Sequence, residues 1–189
     1  KDYLKLFKKE KILNKPKAIQ ITNLKKVYIP MSFWIDNKFR RKEKTLFLGF
    51  SGGQGSGKTT VSEILKIILK KFFKRKILVV SIDNFYKALK DRNKISYTIH
   101  PLFKTRGCPG TKDIKLLKKF LNFVEKKKFK KIKLPKFDKS TDNRLKKKYW
   151  PSIKKRPEIV ILEGWCLGAK PQSNSLIKKP INILEKYED

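Results

Sequence analysis

The chain has 189 residues, 39% hydrophobic and 12% aromatic, enough for one cored domain and against wholesale disorder. Its 50 basic and 16 acidic residues give a net charge of +34, yet 43 of the basic residues are Lys and only 7 are Arg, the residue suited to bidentate phosphate and base contacts. No apolar run reaches the ~18–20 residues of a membrane span, and no secretory signal pattern opens the chain; Cys108, Cys166 and the single His100 make neither a disulfide framework nor a conventional zinc site.

Tyr3–Leu13 has apolar residues at 3, 4, 6, 7, 12 and 13, the spacing of a short amphipathic helix. Ile19–Ile35 is expected to be helical, interrupted by Pro30. Residues 1–44 are therefore expected to form an N-terminal helical segment packed on a core domain of 45–189. Thr45–Phe50 is a short apolar run entering a glycine cluster, as a buried parallel strand does. From Lys58 the apolar positions 61, 64, 65, 68, 69, 72 and 73 keep helical spacing. Ile77–Ile82 is the next strand. Residues 84–112, with Pro101, Gly107, Pro109 and Gly110, are expected to be mostly loop. Asp113–Glu125 is a helix with Asp113 or Thr111 as its cap, Ile132–Phe137 a short strand, and Lys139–Lys155 a charged connection. Ile159–Leu162 is a third buried strand, ending at Glu163-Gly164. This alternation predicts an α/β fold, a parallel sheet with helices on both faces. The final residues Asn182–Asp189 run out in charged sequence, so the sheet is expected to be incomplete at the C-terminus.

Gly52-Gly-Gln-Gly-Ser-Gly57-Lys58-Thr59 satisfies G-x-x-x-x-G-K-[ST], the Walker A pattern. Backbone N–H groups of such a loop wrap phosphates, Lys58 reaches the terminal ones, and the Thr59 hydroxyl binds Mg²⁺. Gly52, Gly53, Gln54, Gly55, Ser56, Gly57, Lys58, Thr59 and Thr60 are accordingly the expected ATP contacts. The helix that follows adds its N-terminal dipole. Asp83, in Ser81-Ile-Asp-Asn-Phe-Tyr86, stands at the carboxyl end of what reads as the neighbouring strand, where ligands bind in open α/β sheets. It can accept the proton of an attacking hydroxyl or orient the acceptor; capping the next segment is the plainer alternative. Glu163 occupies a Walker B type position, able to hold Mg²⁺ directly or through water, unless it is simply a solvated strand end.

These blocks occur in order with His100-Pro-Leu-Phe-Lys-Thr-Arg-Gly-Cys-Pro-Gly-Thr111, Pro135-Lys-Phe-Asp-Lys-Ser140 and Ile161-Leu-Glu-Gly-Trp-Cys-Leu-Gly168. Together they resemble the bacterial and plant-type D-glycerate 3-kinase family, P-loop kinases related to uridine kinase, phosphoribulokinase and pantothenate kinase. The resemblance runs over residues 24–185. It implies ATP, Mg²⁺, a small hydroxy-acid acceptor and 3-phosphoglycerate as product. It also implies that Lys58, Asp83 and Glu163 are catalytic, with Asp83 as base. Tyr86, Arg106, Asp138 and Lys139 are then the acceptor-side contacts, Arg106 gripping a carboxylate. For Arg106 the plain alternative is a loop salt bridge, and for Asp138 and Lys139 a surface ion pair.

Three positions depart from the family's pattern: Asn84 replaces a frequent second Asp, Lys112 a common His, and Asp142-Asn143-Arg144 is a short form of a longer stretch. Cys108 and Cys166 read as small residues in site loops. A kinase of a pantothenate- or nucleoside-type acceptor would need the same glycine loop and Asp. A nucleic-acid-associated P-loop NTPase is the reading the charge suggests, but no stacking aromatics interleaved with Arg accompany it. A fragment that binds nucleotide without turnover is the third reading. Nonspecific polyanion contact, no specific nucleic acid, no membrane partner and a cytoplasmic location are the expectations.

Overall fold

The structure, a computed structural model, describes residues 17–42, 44–126, 128–178, 180, 183, 186 and 187; the helix expected over Tyr3–Leu13 lies outside them. The described chain enters through α1 (Lys17–Asn23), a π-helical turn over Leu24–Tyr28 and α2 (Ile29–Arg40). β1 (Leu46–Ser51), α3 (Lys58–Lys71), β2 (Ile77–Ser81), α4 (Leu89–Thr98) and α5 (Ile114–Glu125) follow. Four two-residue strands come next: β3 (Ile132–Lys133), β4 (Phe137–Asp138), β5 (Asn143–Arg144) and β6 (Ser152–Ile153). β7 (Ile159–Gly164) and a last turn, α6 (Asn174–Ile177), complete the order. Among the described residues no helix is long and apolar enough to cross a membrane.

The interruption expected at Pro30 is the π turn just before it, not a break. Proline has no N–H, and its ring crowds the carbonyl four residues back. The wider turn makes room, and the Ile29 N–H bonds to the Leu24 carbonyl five residues back.

β1, β7 and β2 form one parallel sheet with β7, the last in sequence, in the middle. Alternate residues of β7 serve two cores. Ile159 and Ile161 pack with Leu46 on Leu65 and Leu69 of α3 and Ile35 of α2. Val160 packs with Val80 on Leu117, Phe120 and Val124 of α5. The result is the expected helix–sheet–helix layering. Ile64 and Ile68, elsewhere on α3, meet Leu24 and Tyr28, so the entering helices lie against α3.

Two expectations need correction. Residues 84–112 contain α4, which has no apolar stripe because its fully buried side chain is a cation, Arg92. Its guanidinium donates to the Lys104 carbonyl at 3.0 Å and to Asp142 Oδ2 at 2.8 Å. Apolar periodicity is blind to a helix anchored this way. The strand expected over Ile132–Phe137 is divided around Pro135, which has no N–H to give a ladder. Its first part pairs with Ser152–Ile153 and its last with Asn143–Arg144, inside the stretch read as a connection.

The entering helices are also tied to the sheet by charge. Asp36 is 1% exposed and accepts from Arg40 and, across the turn before β2, from Arg75. Burial works against its charge, but hydrogen bonds from Arg75 and Arg40 outweigh that and hold the carboxyl below its usual range. A depressed acid stabilises the fold above its unfolded pKa, about 3.9, and that stability is lost as pH falls through the lower folded value. Asp36→Asn is therefore expected to cost about 1–3 kcal/mol at neutral pH. In denaturant titrations the gap to the parent should close as the pH is taken well below about 4.

Candidate active site

Parallel register brings the carboxyl ends of all three strands to one edge: Ser51 lies beside Gly164, and Ser81 beside Glu163. From Ser51 the chain turns through Gly52–Gly57 into α3. Gly57 caps that helix at φ 80°, a conformation that side chains resist. The Ser56 hydroxyl and the Lys58 ammonium both donate to the Gly53 carbonyl, which folds Lys58 back over its own loop. Thr59 and Thr60 occupy the first turn of α3, whose leading N–H groups have no partner within the helix.

Glu163 is 6% exposed and accepts a hydrogen bond from the Thr59 hydroxyl at 3.0 Å, so it is no solvated strand end. A hydroxyl and a carboxylate are hard oxygen donors that suit Mg²⁺, which leaves its other positions to water and phosphate oxygens. Among the described residues no cluster of three or more His, Cys, Asp or Glu offers a self-sufficient metal site. The pair fits a cation that arrives with phosphates. The next residue, Gly164, has no room for a side chain, since a Cβ there would fall 2.2 Å from Ile82 Cγ2. That close approach seats the turn carrying Asp83.

Asp83 lies in a 3₁₀ turn, Ile82–Phe85, after β2. β2 is not the neighbour of β1, as the sequence suggested; β7 intervenes. The cap of this turn is Ser81, whose hydroxyl oxygen accepts from the Asp83 N–H at 3.3 Å. The Asp83 carboxylate is instead 3.1 Å from the Lys139 ammonium. Gln54 of the glycine loop, Asp83, Tyr86, Arg106, Lys139 and Asp142 line one cavity of about 580 Å³.

Asp138 is not brought to it. Its carboxylate accepts from the Ser140 N–H and the Ser140 and Thr141 hydroxyls, closing its own turn. Lys139 therefore pairs across the cavity with Asp83, and not with its sequence neighbour. Arg106 lines the cavity and also makes a salt bridge, its Nε 2.8 Å from Asp142 Oδ1. Asn84 accepts from the Phe137 N–H at 3.4 Å and so ties the turn to β4. The Lys112 ammonium lies 4.8 Å from the centre of the Tyr86 ring. Cys108 is half-buried and Cys166 exposed. Sequence reasoning missed Lys104 and Asp142 as cavity residues. The available signal was scarcity: an acid inside the lysine-rich stretch from Lys136 to Lys148 has cations to meet.

Residues 47–172 match the Phosphoribulokinase / Uridine kinase family. The chain is 30% identical over 168 residues to the chloroplastic D-glycerate 3-kinase of Arabidopsis thaliana, covering 80% of this chain and 37% of that protein. It is 37% identical over 154 residues to a Saccharomyces cerevisiae protein described as "Probable ATP-dependent kinase TDA10", covering 76% of this chain and 51% of the other. Among solved structures, D-glycerate 3-kinase from Cryptococcus neoformans superposes with a TM-score of 0.66 at 26% identity, over 87% of this chain and 58% of that one. The chain thus spans roughly a third to three fifths of the length of these relatives.

Tyr86, 6% exposed, has its pKa raised to about 12, first by burial and then by the charge of Asp83. The folded state favours the neutral phenol. Its contribution to stability is intact below about 10 and is lost as pH rises from there through the folded value. An ultraviolet difference titration of the parent against Tyr86→Phe should show the missing tyrosine ionising near 12. Ionisation near the ordinary value of about 10 would show a phenol facing water.

Proposed function

The chain belongs to the Phosphoribulokinase / Uridine kinase family and is a P-loop kinase, and on that premise we propose that it transfers the γ-phosphoryl group of ATP to a hydroxyl of a small hydroxy acid, D-glycerate, giving 3-phosphoglycerate. The observation that carries the proposal is the shared cavity. Gln54 of the glycine loop lines it together with Asp83, Arg106 and Lys139, which supports a phosphate donor and an acceptor sharing one space.

The N–H groups of the glycine loop and of the first turn of α3 hold the phosphates. Lys58 exchanges the Gly53 carbonyl for terminal phosphate oxygens and stabilises charge during transfer. Thr59 and Glu163 would hold Mg²⁺, which when bound screens the negative charge that repels an incoming oxygen. Asp83 takes the proton of the attacking hydroxyl as the new oxygen–phosphorus bond forms and the bond from the γ-phosphorus to the bridging oxygen breaks, releasing ADP. Arg106 grips the acceptor's carboxylate with two parallel N–H groups. Tyr86, protonated at working pH, lines the cavity beside Asp83 without adding a second negative charge to it. A neutral nucleoside would leave the Arg106 charge unmet; a pantothenate-type acceptor also has a carboxylate and differs in length.

The test is an ADP-release screen against D-glycerate, pantothenate, uridine and ribulose 5-phosphate. Turnover with D-glycerate supports the proposal, and turnover confined to any other acceptor overturns it. Asp83→Asn should lower kcat by ~10²–10⁴-fold while ATP still binds; lost ATP affinity with unchanged kcat would make Asp83 a structural residue. Arg106→Lys should raise the acceptor KM by at least ~10-fold and leave the ATP KM within ~2-fold, because an ammonium cannot form the two-bond fork. Equal effects on both substrates would place Arg106 on the nucleotide side.

A further inference from the structure

Asp142 is shared by two arginines, one without contact to water and one in the cavity. Its Oδ2 lies 2.8 Å from Nη2 of Arg92, a side chain with no exposed surface, and its backbone carbonyl accepts from the same nitrogen. Its Oδ1 lies 2.8 Å from Arg106 Nε, off the hydrogen-bonding line, and this buried oxygen has no other donor. The two guanidiniums lie 5.7 and 5.5 Å from the centre of the Phe137 ring. Asp142 adopts a left-handed φ of 49°, which Asp and Asn tolerate better than most residues. Its backbone and one carboxylate oxygen are thus anchored on Arg92, and the remaining oxygen is presented to Arg106.

An arginine can grip a carboxylate side-on, through Nε and one Nη, or end-on, through both Nη. Asp142 stands 2.8 Å from Nε as an ion pair and not on its N–H line, so it holds the guanidinium by charge at the Nε end and leaves the Nη groups to a ligand. Two guanidiniums against one carboxylate also leave one positive charge over. We infer that Asp142 is a positioning residue: clamped by Arg92, it orients Arg106 so that the Nη edge faces the cavity and matches a single carboxylate. This rests on the acceptor reading above, in which Arg106 meets the acceptor's anionic group.

Asp142→Asn keeps the backbone conformation and one oxygen. Its amide group, however, turns a donor toward one of the two guanidiniums. Arg92, held also by the Lys104 carbonyl, retains the oxygen, and Arg106 is released. The acceptor KM should rise at least ~10-fold with kcat and the ATP KM within ~3-fold, since only a two-bond carboxylate contact is lost. In the Arg106→Ala background the same substitution should change the acceptor KM by less than ~2-fold, because the pair acts as a unit. Independent, multiplying effects would overturn the inference, as would a rise in both KM values.

A second readout needs no acceptor. The Arg106 Nε resonance, assigned by its loss in Arg106→Lys, should shift in Asp142→Asn as the guanidinium leaves its ion pair. An unchanged resonance would overturn the inference. If the parent fails to phosphorylate D-glycerate while this resonance responds, the acceptor assignment fails and the positioning role stands; the double-mutant cycle is then run on whichever acceptor the screen returns.

Discussion

The register of β7 between β1 and β2 is the constraint on which the site depends. Ile159, Val160 and Ile161 are all fully buried, and they alternate between a core shared with α3 and one shared with α5. A slip of one residue would exchange the faces and put each side chain against the wrong helix. Because the register cannot slip, Glu163 must emerge beside the glycine loop, where it meets Thr59 across 104 positions of sequence. The turn carrying Asp83 is placed by the same pairing, and its approach to Gly164 needs the absent side chain. The nucleotide half of the site is therefore a consequence of apolar packing, expressed at the open end of the strands.

The side of the cavity proposed for the acceptor is built differently. Asp142, Asn143 and Arg144 are consecutive, and each ties the β4–β5 hairpin to another element. Asp142 meets Arg92 of α4. Asn143 Oδ1 accepts the Leu89 N–H, at the first position of that helix, at 3.0 Å. Arg144 lies 2.9 Å from Asp113, which itself caps α5 by accepting the Leu116 N–H. The buried Phe137 ring, set edge-on to Tyr86, is the apolar contact of the hairpin, and the ties from its turn and from β5 are polar groups. Such a network is strong while complete, but losing one partner of a buried charge leaves the other without water or counterion.

This difference decides what could be read from sequence. The glycine loop is legible because its function needs backbone approach, and backbone approach needs glycine at fixed spacing. Three strands and the placing of Glu163 at a strand end were legible because buried parallel strands are continuous apolar runs. The order of those strands was not, since β7 enters the middle from far along the chain. α4 was invisible because the residue it buries is Arg92, whose partners lie 12 and 50 positions away. Asp138 differs in another way, because its carboxylate is taken up by its own turn. A resemblance transfers a residue without its local geometry, yet Ser140 and Thr141 close behind it were the ordinary sign of an Asp that closes its own turn.

The two kinds of basic residue divide the work along the same line. Six of the seven arginines have a specific partner: Arg40 and Arg75 on Asp36, Arg92 and Arg106 on Asp142, Arg144 on Asp113, and Arg156 on the Thr45 hydroxyl. With 43 lysines and 16 acids, most of the lysine charge has no carboxylate to meet. An excess spread over the surface makes a long-range field that draws any anion and weakens with salt over about 10 Å. It cannot tell a triphosphate from a hydroxy acid. Short-range geometry can, and on the reading proposed above that geometry comes from the Arg106 fork held beside Asp142. On that reading the large charge of the chain and the discrimination of its site have separate origins, and lysines other than Lys58, Lys104 and Lys139 add to the first without touching the second.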